Sequence, residues 1–212
     1  MKRRILIAAL LSLAFAAPAV AHPHVWVTMN SEVLYAPDGT VTGVRHAWSF
    51  DDMFSAFATQ GYEGKVKGEF TREELAPLAK VNVESLKDFD YFTYATVDGN
   101  KIRMNEPLPD YYLSFENQVL TLHFTLPLEK PVKAKQLNVD IYDATIFVNF
   151  EFGKKDPVKL TSAPAGCKLE TVLPREMTFA EGKALSEIPA DQPNVSMAFG
   201  AKFANKILVN CP

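Results

Sequence analysis

Short segments in which apolar and polar residues alternate constrain the fold of this chain more than any other feature. The first two, 24–35 and 41–50, flank the turn residues 36–39 and predict a β-hairpin. Many further short strands separated by turn signals are typical of a β-sandwich, so we expect a mainly β (α+β) fold. Those strands are predicted at 90–97, 101–104, 111–115, 119–126, 135–142, 145–150, 158–161 and 168–173.

The periodicity becomes helical after the first hairpin. Residues 51–60 place apolar side chains at helical spacing behind two acids, which favour a helix start. A second helix is predicted over 71–89, with Thr71 as N-cap and Glu74 completing a capping box. Residues 51–89 therefore read as a helical hairpin inserted into a β domain. A C-terminal helix is predicted over 174–186, followed by a proline-bearing loop over 188–194 and a short helix or strand within 197–209.

The segment between the two inserted helices has the spacing of an EF-hand loop. If Gly68 takes the sixth loop position, Phe70 takes the apolar eighth and Glu74 the bidentate twelfth. Lys65 and Lys67 then stand where oxygen ligands are required, and lysine offers no acceptor. We therefore expect an EF-hand-like shape whose calcium site has been lost.

The first 21 residues have the pattern of a secretory signal peptide. A basic start precedes a short apolar run, and Ala19-Val20-Ala21 forms a small-residue cleavage site. The apolar run is shorter than the roughly 20 residues needed to span a bilayer, so no stable membrane insertion is expected. We predict export to the periplasm and a single domain over 22–212.

Charge and cysteine content agree with an exported protein. The net charge of −3 argues against nucleic acid and anionic membranes as partners. The two cysteines, Cys167 and Cys211, predict a disulfide in an oxidising compartment. A thiolate metal site or a redox pair is the alternative for these residues.

Cleavage after Ala21 would expose a cluster of nitrogen donors. The new α-amino group and the imidazole would both belong to His22, and His24 would supply a second imidazole two residues later. Pro23 has no amide hydrogen to lose, which blocks square-planar binding through backbone nitrogens. The remaining chelate resembles a copper histidine brace, and a tetrahedral zinc site is the alternative.

Other residues are candidates to complete such a site. His46, His123 and Asp143 are the predicted additional ligands, and Asp51, Asp52 or Asp140 is also admissible. His46 belongs to the second strand of the predicted hairpin, so it could face residues near His24. Each has an ordinary structural alternative: a strand histidine is commonly a hydrogen-bonded core residue, and an acid before a helix is commonly its cap. Zinc, nickel, cobalt and copper all suit the nitrogen-rich set. No nucleophile, P-loop or zinc-protease motif is present, and we do not expect an enzyme.

The chain resembles the uncharacterised bacterial family known as domain of unknown function 1007. The resemblance implies a periplasmic component of an ABC-type transport system and, as partner, an inner-membrane metal transporter of the nickel/cobalt type. The segments that carry it are HPHVWV (22–27), RHAWSFDDMFS (45–55), REEL (72–75), FDYFTY (89–94), LHF (122–124), YD (142–143) and PAGC (164–167).

Together these observations predict a periplasmic transition-metal-binding accessory protein of a metal transport system. Two other functions remain open at this point. One is a copper-dependent oxidative enzyme that uses the same histidine brace. The other is a periplasmic interaction module in which the HPH segment binds no metal.

Overall fold

The computed structural model describes residues 24–187 and 197–212, in which eleven strands form two sheets. The predicted signal segment, His22 and the predicted loop at 188–194 lie outside these residues. The strands are β1 (Val25–Tyr35), β2 (Val41–Phe50), β3 (Thr93–Val97), β4 (Asn100–Ile102), β5 (Tyr112–Glu116), β6 (Val119–Val132), β7 (Gln136–Ile141), β8 (Val148–Phe152), β9 (Val158–Thr161), β10 (Lys168–Val172) and β11 (Asn205–Asn210).

The two sheets have different connectivity. The first has the order β5-β6-β2-β1-β8, with β9 also paired to β1, and the second has the order β10-β11-β7-β3-β4. Strands β8 and β9 run parallel to β1, whereas the other pairs are antiparallel. The prediction of a β-rich α+β fold is confirmed.

The core is formed by the inward-facing residues of both sheets. Along β1, buried and more exposed residues alternate from Val25 to Tyr35, as the sequence pattern predicted. An aromatic cluster centred on Trp48 contacts Phe92, Phe124 and Phe150, with ring centroids 4.8–6.5 Å apart. Aromatic pairs at such distances contribute beyond their buried area, so this cluster stabilises the packing of the core.

Two helices lie between β2 and β3, as expected. They are α1 (Asp52–Ala58) and α2 (Ala76–Leu86), and a 3-10 segment (Lys87–Phe92) follows α2. The predicted start of the second helix at Thr71 is wrong, although the predicted capping box forms: the N–H of Glu74 donates to the Thr71 hydroxyl and the N–H of Thr71 donates to the Glu74 carboxylate. Pro77 occupies the first turn of α2 and lacks the N–H that a longer helix would need, so the helix begins at Ala76. The C-terminal part contains α3 (Phe179–Ser186), α4 (Met197–Gly200) and a 3-10 turn (Ala201–Phe203).

The loop before α2 is tied together by Glu74. Its carboxylate accepts hydrogen bonds from the backbone N–H groups of Lys65, at 3.0 Å, and Thr71, at 2.8 Å. These bonds, led by the one from Thr71, lower the pKa of Glu74. Gly68 adopts a φ of +81° in this loop, a conformation that glycine takes without strain. The carboxylate predicted at the twelfth loop position therefore binds backbone N–H groups.

Residues 90–92 differ from the predicted strand. Asp90, Tyr91 and Phe92 all have φ near +50°, and β3 begins only at Thr93. The carbonyl of Phe92 accepts a hydrogen bond from the N–H of Tyr142, and that of Tyr91 accepts one from the Thr93 hydroxyl. Such left-handed residues cost free energy and persist where surrounding contacts hold them, as these two bonds do here.

The predicted disulfide joins Cys167 and Cys211, and it ties β10 to the end of β11. The bond closes a separation of 44 residues. None of the helices within 24–187 and 197–212 has the length and apolar character required to cross a membrane.

Candidate functional site

His24 lies at the surface where β1 begins. Its N–H donates to the carbonyl of Phe147 at 2.8 Å, and the two rings approach to 4.7 Å. Directly after it, Val25 pairs with Val148 at the start of β8. The backbone of His24 is thus fixed by the neighbouring strand, and its imidazole is exposed at the surface.

Asp143 organises the loop that holds His24. Its Oδ1 accepts bonds from the N–H and hydroxyl of Thr145, and its Oδ2 accepts bonds from the N–H groups of Phe147 and Val148. The residue is 5% exposed. A carboxylate has about four acceptor sites, so these four bonds occupy its capacity. Asp143 is thus connected to His24 through Phe147, whose N–H donates to Asp143 and whose carbonyl accepts from His24. The carboxylate oxygens of Asp143 are all bonded to groups of its own loop.

Asp51 fixes the other side of the same strand. Its Oδ1 accepts the N–H of Phe54 and caps α1, while its Oδ2 accepts the N–H of Trp26 at 2.8 Å. The predicted capping role of this acid is confirmed, and Asp52 lies exposed in the first helical turn. The side chain of Trp26, two residues from His24, is 46% exposed. The sequence did not identify Trp26 or Phe147 as neighbours of the site, although only Val25 separates Trp26 from the HPH segment.

His46 does not meet His24, although the predicted hairpin suggested that it could face residues near it. Its strand partner is Ser31, seven residues farther along β1 than His24. At about 3.3 Å per residue, seven residues separate the two histidines by about 23 Å. The hairpin closes around residues 36–40, and this register puts His46 near the middle of β1.

His46 is instead a hydrogen-bonded core residue. Its Nδ1 lies 2.9 Å from the hydroxyl of Ser31, and its Nε2 lies 3.3 Å from that of Thr93. Thr93 donates its only hydroxyl proton to the carbonyl of Tyr91, so it accepts from Nε2. Nδ1 must then accept from Ser31. This chain of bonds connects the two sheets, and burial lowers the pKa of His46 to about 3.

His123 lies on the other face of the first sheet. His46 pairs with Phe124 and Ala47 pairs with His123, so the two histidines point to opposite sides of adjacent strands. Ala47 in turn pairs with Asn30, six residues from His24. His123 is therefore roughly 20 Å from His24 along the strand direction. Its Nε2 lies 3.0 Å from the hydroxyl of Ser114, and burial lowers its pKa.

Of the predicted metal ligands within the described residues, Asp51 and the loop of Asp143 contact the start of β1, which directly follows His24. His46 and His123 lie roughly 20 Å or more away. Within the ranges that the structure describes, no group of three or more His, Cys, Asp or Glu side chains is arranged to hold a metal ion. His22 lies outside these ranges. The candidate site is therefore the surface around His24. The start of β1, which directly follows His24, is held in place by the loop at 143–148 and by Asp51.

Comparison with known proteins defines the family. A family model described as "Protein of unknown function (DUF1007)" matches residues 7–211. The chain belongs to the DUF1007 family. Two relatives of the chain have names that give no activity. An uncharacterized protein of Haemophilus influenzae is 24% identical over 205 residues, covering 95% of this chain and 97% of the relative.

The second relative is shorter. It is described as an uncharacterized 15.5 kDa protein in the trpE 3′ region of Spirochaeta aurantia. It is 32% identical over 100 residues, which cover 47% of this chain and 71% of the relative. The match to the DUF1007 model therefore extends beyond what this shorter relative shares with the chain.

Proposed function

We propose that this DUF1007 protein is a periplasmic transition-metal-binding accessory protein of a metal transport system. The observation that carries the proposal is the exposed His24, held at the start of β1 and preceded by His22 in the sequence. Removal of residues 1–21 would give His22 a free α-amine in addition to its imidazole, two residues before His24. Amine and imidazole nitrogens suit zinc, nickel, cobalt and copper.

The surroundings of His24 support a binding role. The Asp143 loop fixes the backbone of Phe147, to which His24 is bonded, and Asp51 fixes Trp26. A ligand held by such supporting bonds loses less freedom when a metal binds, which raises affinity. Asp143 acts in this proposal as a positioning residue. His46 and His123 take no part, because of their distance from His24.

The apolar surface beside His24 supports the transporter as partner. Trp26 is 46% exposed and Phe147 is 44% exposed. Exposed aromatic side chains are enriched in the energetically important parts of protein interfaces. A membrane transporter that contacts these two residues would receive a metal from the adjacent histidines.

The same two aromatic residues favour one alternative function. They would equally serve a periplasmic interaction module that binds a partner without a metal. A variant with both His22→Ala and His24→Ala distinguishes the two functions, because partner binding would survive in the module and fail in the metal-dependent protein.

Titration of the processed protein tests the proposal directly. Protein beginning at His22 is compared with a form that retains Ala21, using isothermal titration with Ni²⁺, Zn²⁺ and Cu²⁺. We expect at least tenfold weaker binding in the extended form, because the α-amine of His22 is then an amide. Equal affinity of the two forms would remove the amine from the site, and the absence of binding in both would refute the proposal.

A further inference from the structure

A cavity lies on the outer face of the first sheet, away from His24. Its volume is about 470 Å³, which is within the range of small-molecule sites. Asn30, Ala47 and His123 form its floor and one wall, and residues of the segment 155–159 form the opposite wall. The metal site proposed around His24 uses no residue of this cavity.

The part of this wall formed by Lys155, Asp156 and Pro157 exists because β1 changes its partner. Strand β8 pairs with β1 as far as Met29, and β9 pairs with it from Ser31 onward. The N–H of Gly153 bonds to the carbonyl of Met29, and the N–H of Ser31 bonds to the carbonyl of Pro157. The intervening residues leave the sheet beside Asn30, and Lys155, Asp156 and Pro157 line the cavity.

The floor follows from one row of strand partners. Tyr112 is opposite His123, His123 is opposite Ala47, and Ala47 is opposite Asn30. Side chains in such a row share one face of the sheet, with strands about 4.8 Å apart. Ala47 contributes only a methyl group. It therefore leaves a gap between the side chains of His123 and Asn30, which are about two strand spacings apart, or roughly 10 Å.

One side of this gap is an ordered flat surface. The rings of Tyr112 and His123 stack with centroids 4.4 Å apart and an interplanar angle of 8°. The guanidinium of Arg72 covers the other face of Tyr112 at 3.9 Å, and Ser114 holds Nε2 of His123. Tyr112 covers one face of the His123 ring, so the opposite face is turned along the row toward Ala47. Stacked rings lie about 4.5–7 Å apart, and a planar group fits in the gap.

The rim of the cavity is cationic. Arg45, Lys155 and Lys159 line it, together with the acids Glu32 and Asp156. The carboxylate of Glu32 is already bonded to Arg45 and to the hydroxyl of Thr161. Asp156 offsets one of the two lysines, so the rim keeps one net positive charge in a protein whose net charge is −3. A cavity of this kind attracts an anion.

We propose that this cavity binds a planar organic anion, with the class of aromatic carboxylates as its simplest members. The planar part extends the stack formed by Arg72, Tyr112 and His123, and lies over Ala47. The anionic group is bound by Lys155 and Lys159. Separate residues thus select the size, the flatness and the charge of the ligand, so each property can be tested by itself.

The test is a titration of the processed, ¹⁵N-labelled protein with benzoate, followed by amide chemical shifts. Two matched probes separate the contributions: cyclohexanecarboxylate keeps the charge without the plane, and benzamide keeps the plane without the charge. We expect saturable shifts at Ala47 and Asn30 with benzoate, and at least fivefold weaker binding of each other probe. Absence of saturable shifts at these residues, or equal binding of the three probes, would overturn the proposal.

Two variants locate the binding. Ala47→Leu fills the gap and is expected to weaken benzoate binding at least tenfold, while Thr28→Leu adds the same side chain to the same sheet face outside the cavity and leaves binding unchanged. The double variant with Lys155→Gln and Lys159→Gln should weaken benzoate binding and leave benzamide binding unaltered. Unchanged benzoate binding in a folded Ala47→Leu protein, judged by its amide spectrum, would place the ligand elsewhere and refute the proposal.

Discussion

The hydroxyl of Ser31 lies 2.9 Å from Nδ1 of His46, and the two residues are partners in the β1–β2 ladder. This relationship fixes the role of His46. It places the imidazole in the core. Seven residues of extended strand separate Ser31 from His24, which corresponds to about 23 Å. Nδ1 of His46 accepts from the Ser31 hydroxyl and its Nε2–H donates to the Thr93 hydroxyl, so the neutral imidazole connects the two sheets.

The folded state should lose stability as His46 becomes protonated in the unfolded chain. The pKa of His46 falls to about 3 in the folded protein, from 6.5. Its contribution is therefore complete above pH 6.5 and is lost as the pH falls toward 3. We expect the free energy of unfolding, measured by urea denaturation, to decrease from pH 7.5 to pH 5. His46→Leu should remove most of this slope. His123→Asn should remove a smaller part, because burial lowers the pKa of His123 as well. An unchanged slope in His46→Leu would contradict this assignment.

Thr93 should matter mainly through His46. In Thr93→Val the buried Nε2–H of His46 loses its acceptor with little change in side-chain shape, at a cost of about 1–3 kcal/mol. The same change should cost clearly less in a His46→Leu background, because the donor is absent there. Urea denaturation of the four proteins of this double-mutant cycle measures the coupling. Additive effects would show that the two side chains do not interact.

Asp143 should stabilise the loop that carries Phe147. In Asp143→Asn one oxygen is replaced by an NH₂ group, which cannot accept the N–H groups now bonded to it. We expect a loss of about 1–3 kcal/mol in the free energy of unfolding. Hydrogen exchange should accelerate at 145–148. Asp140→Asn serves as a control, since Asp140 pairs with Lys206 on β11. Unchanged exchange at 145–148 in Asp143→Asn would argue against the positioning role.

The disulfide should make a large contribution to stability. Closing a loop of 44 residues corresponds to about 4 kcal/mol in the chain-entropy description. The double variant with Cys167→Ser and Cys211→Ser should therefore unfold at a lower urea concentration. Reduction of the unsubstituted protein should produce a similar shift, whereas the variant should not respond to reductant. A midpoint unchanged by both treatments would mean that the bond adds no stability.

Much of the fold follows from local pattern. The alternation along β1 and β2 locates both strands, because one face of each is buried in the core. The left-handed turn at 90–92 escaped prediction for a different reason. Its left-handed residues are Asp90, Tyr91 and Phe92, with no glycine to signal the turn, and bonds involving Thr93 and Tyr142 hold it. Such contacts are set by the tertiary fold.

The candidate site was predictable only in part. The HPH segment identified the region of His24, but the expected approach of His46 required the hairpin register. The turn at 36–40 places Tyr35 opposite Val41, and counting back from it puts His46 near residues 30–31. That signal was available in the sequence. The parallel pairing of β8 with β1, which brings Phe147 to His24, joins segments more than 120 residues apart and has no local signal.

The most direct test of the account is the metal content of the processed protein, purified without a tag from the periplasm and measured by elemental analysis. We predict one transition-metal ion per chain, lost in His22→Ala and in His24→Ala and retained in His46→Leu and His123→Asn. A protein that carries no transition metal, even after loading with Zn²⁺, Ni²⁺, Co²⁺ or Cu²⁺, would contradict the central claim. Metal retained in the double variant with His22→Ala and His24→Ala would contradict it equally.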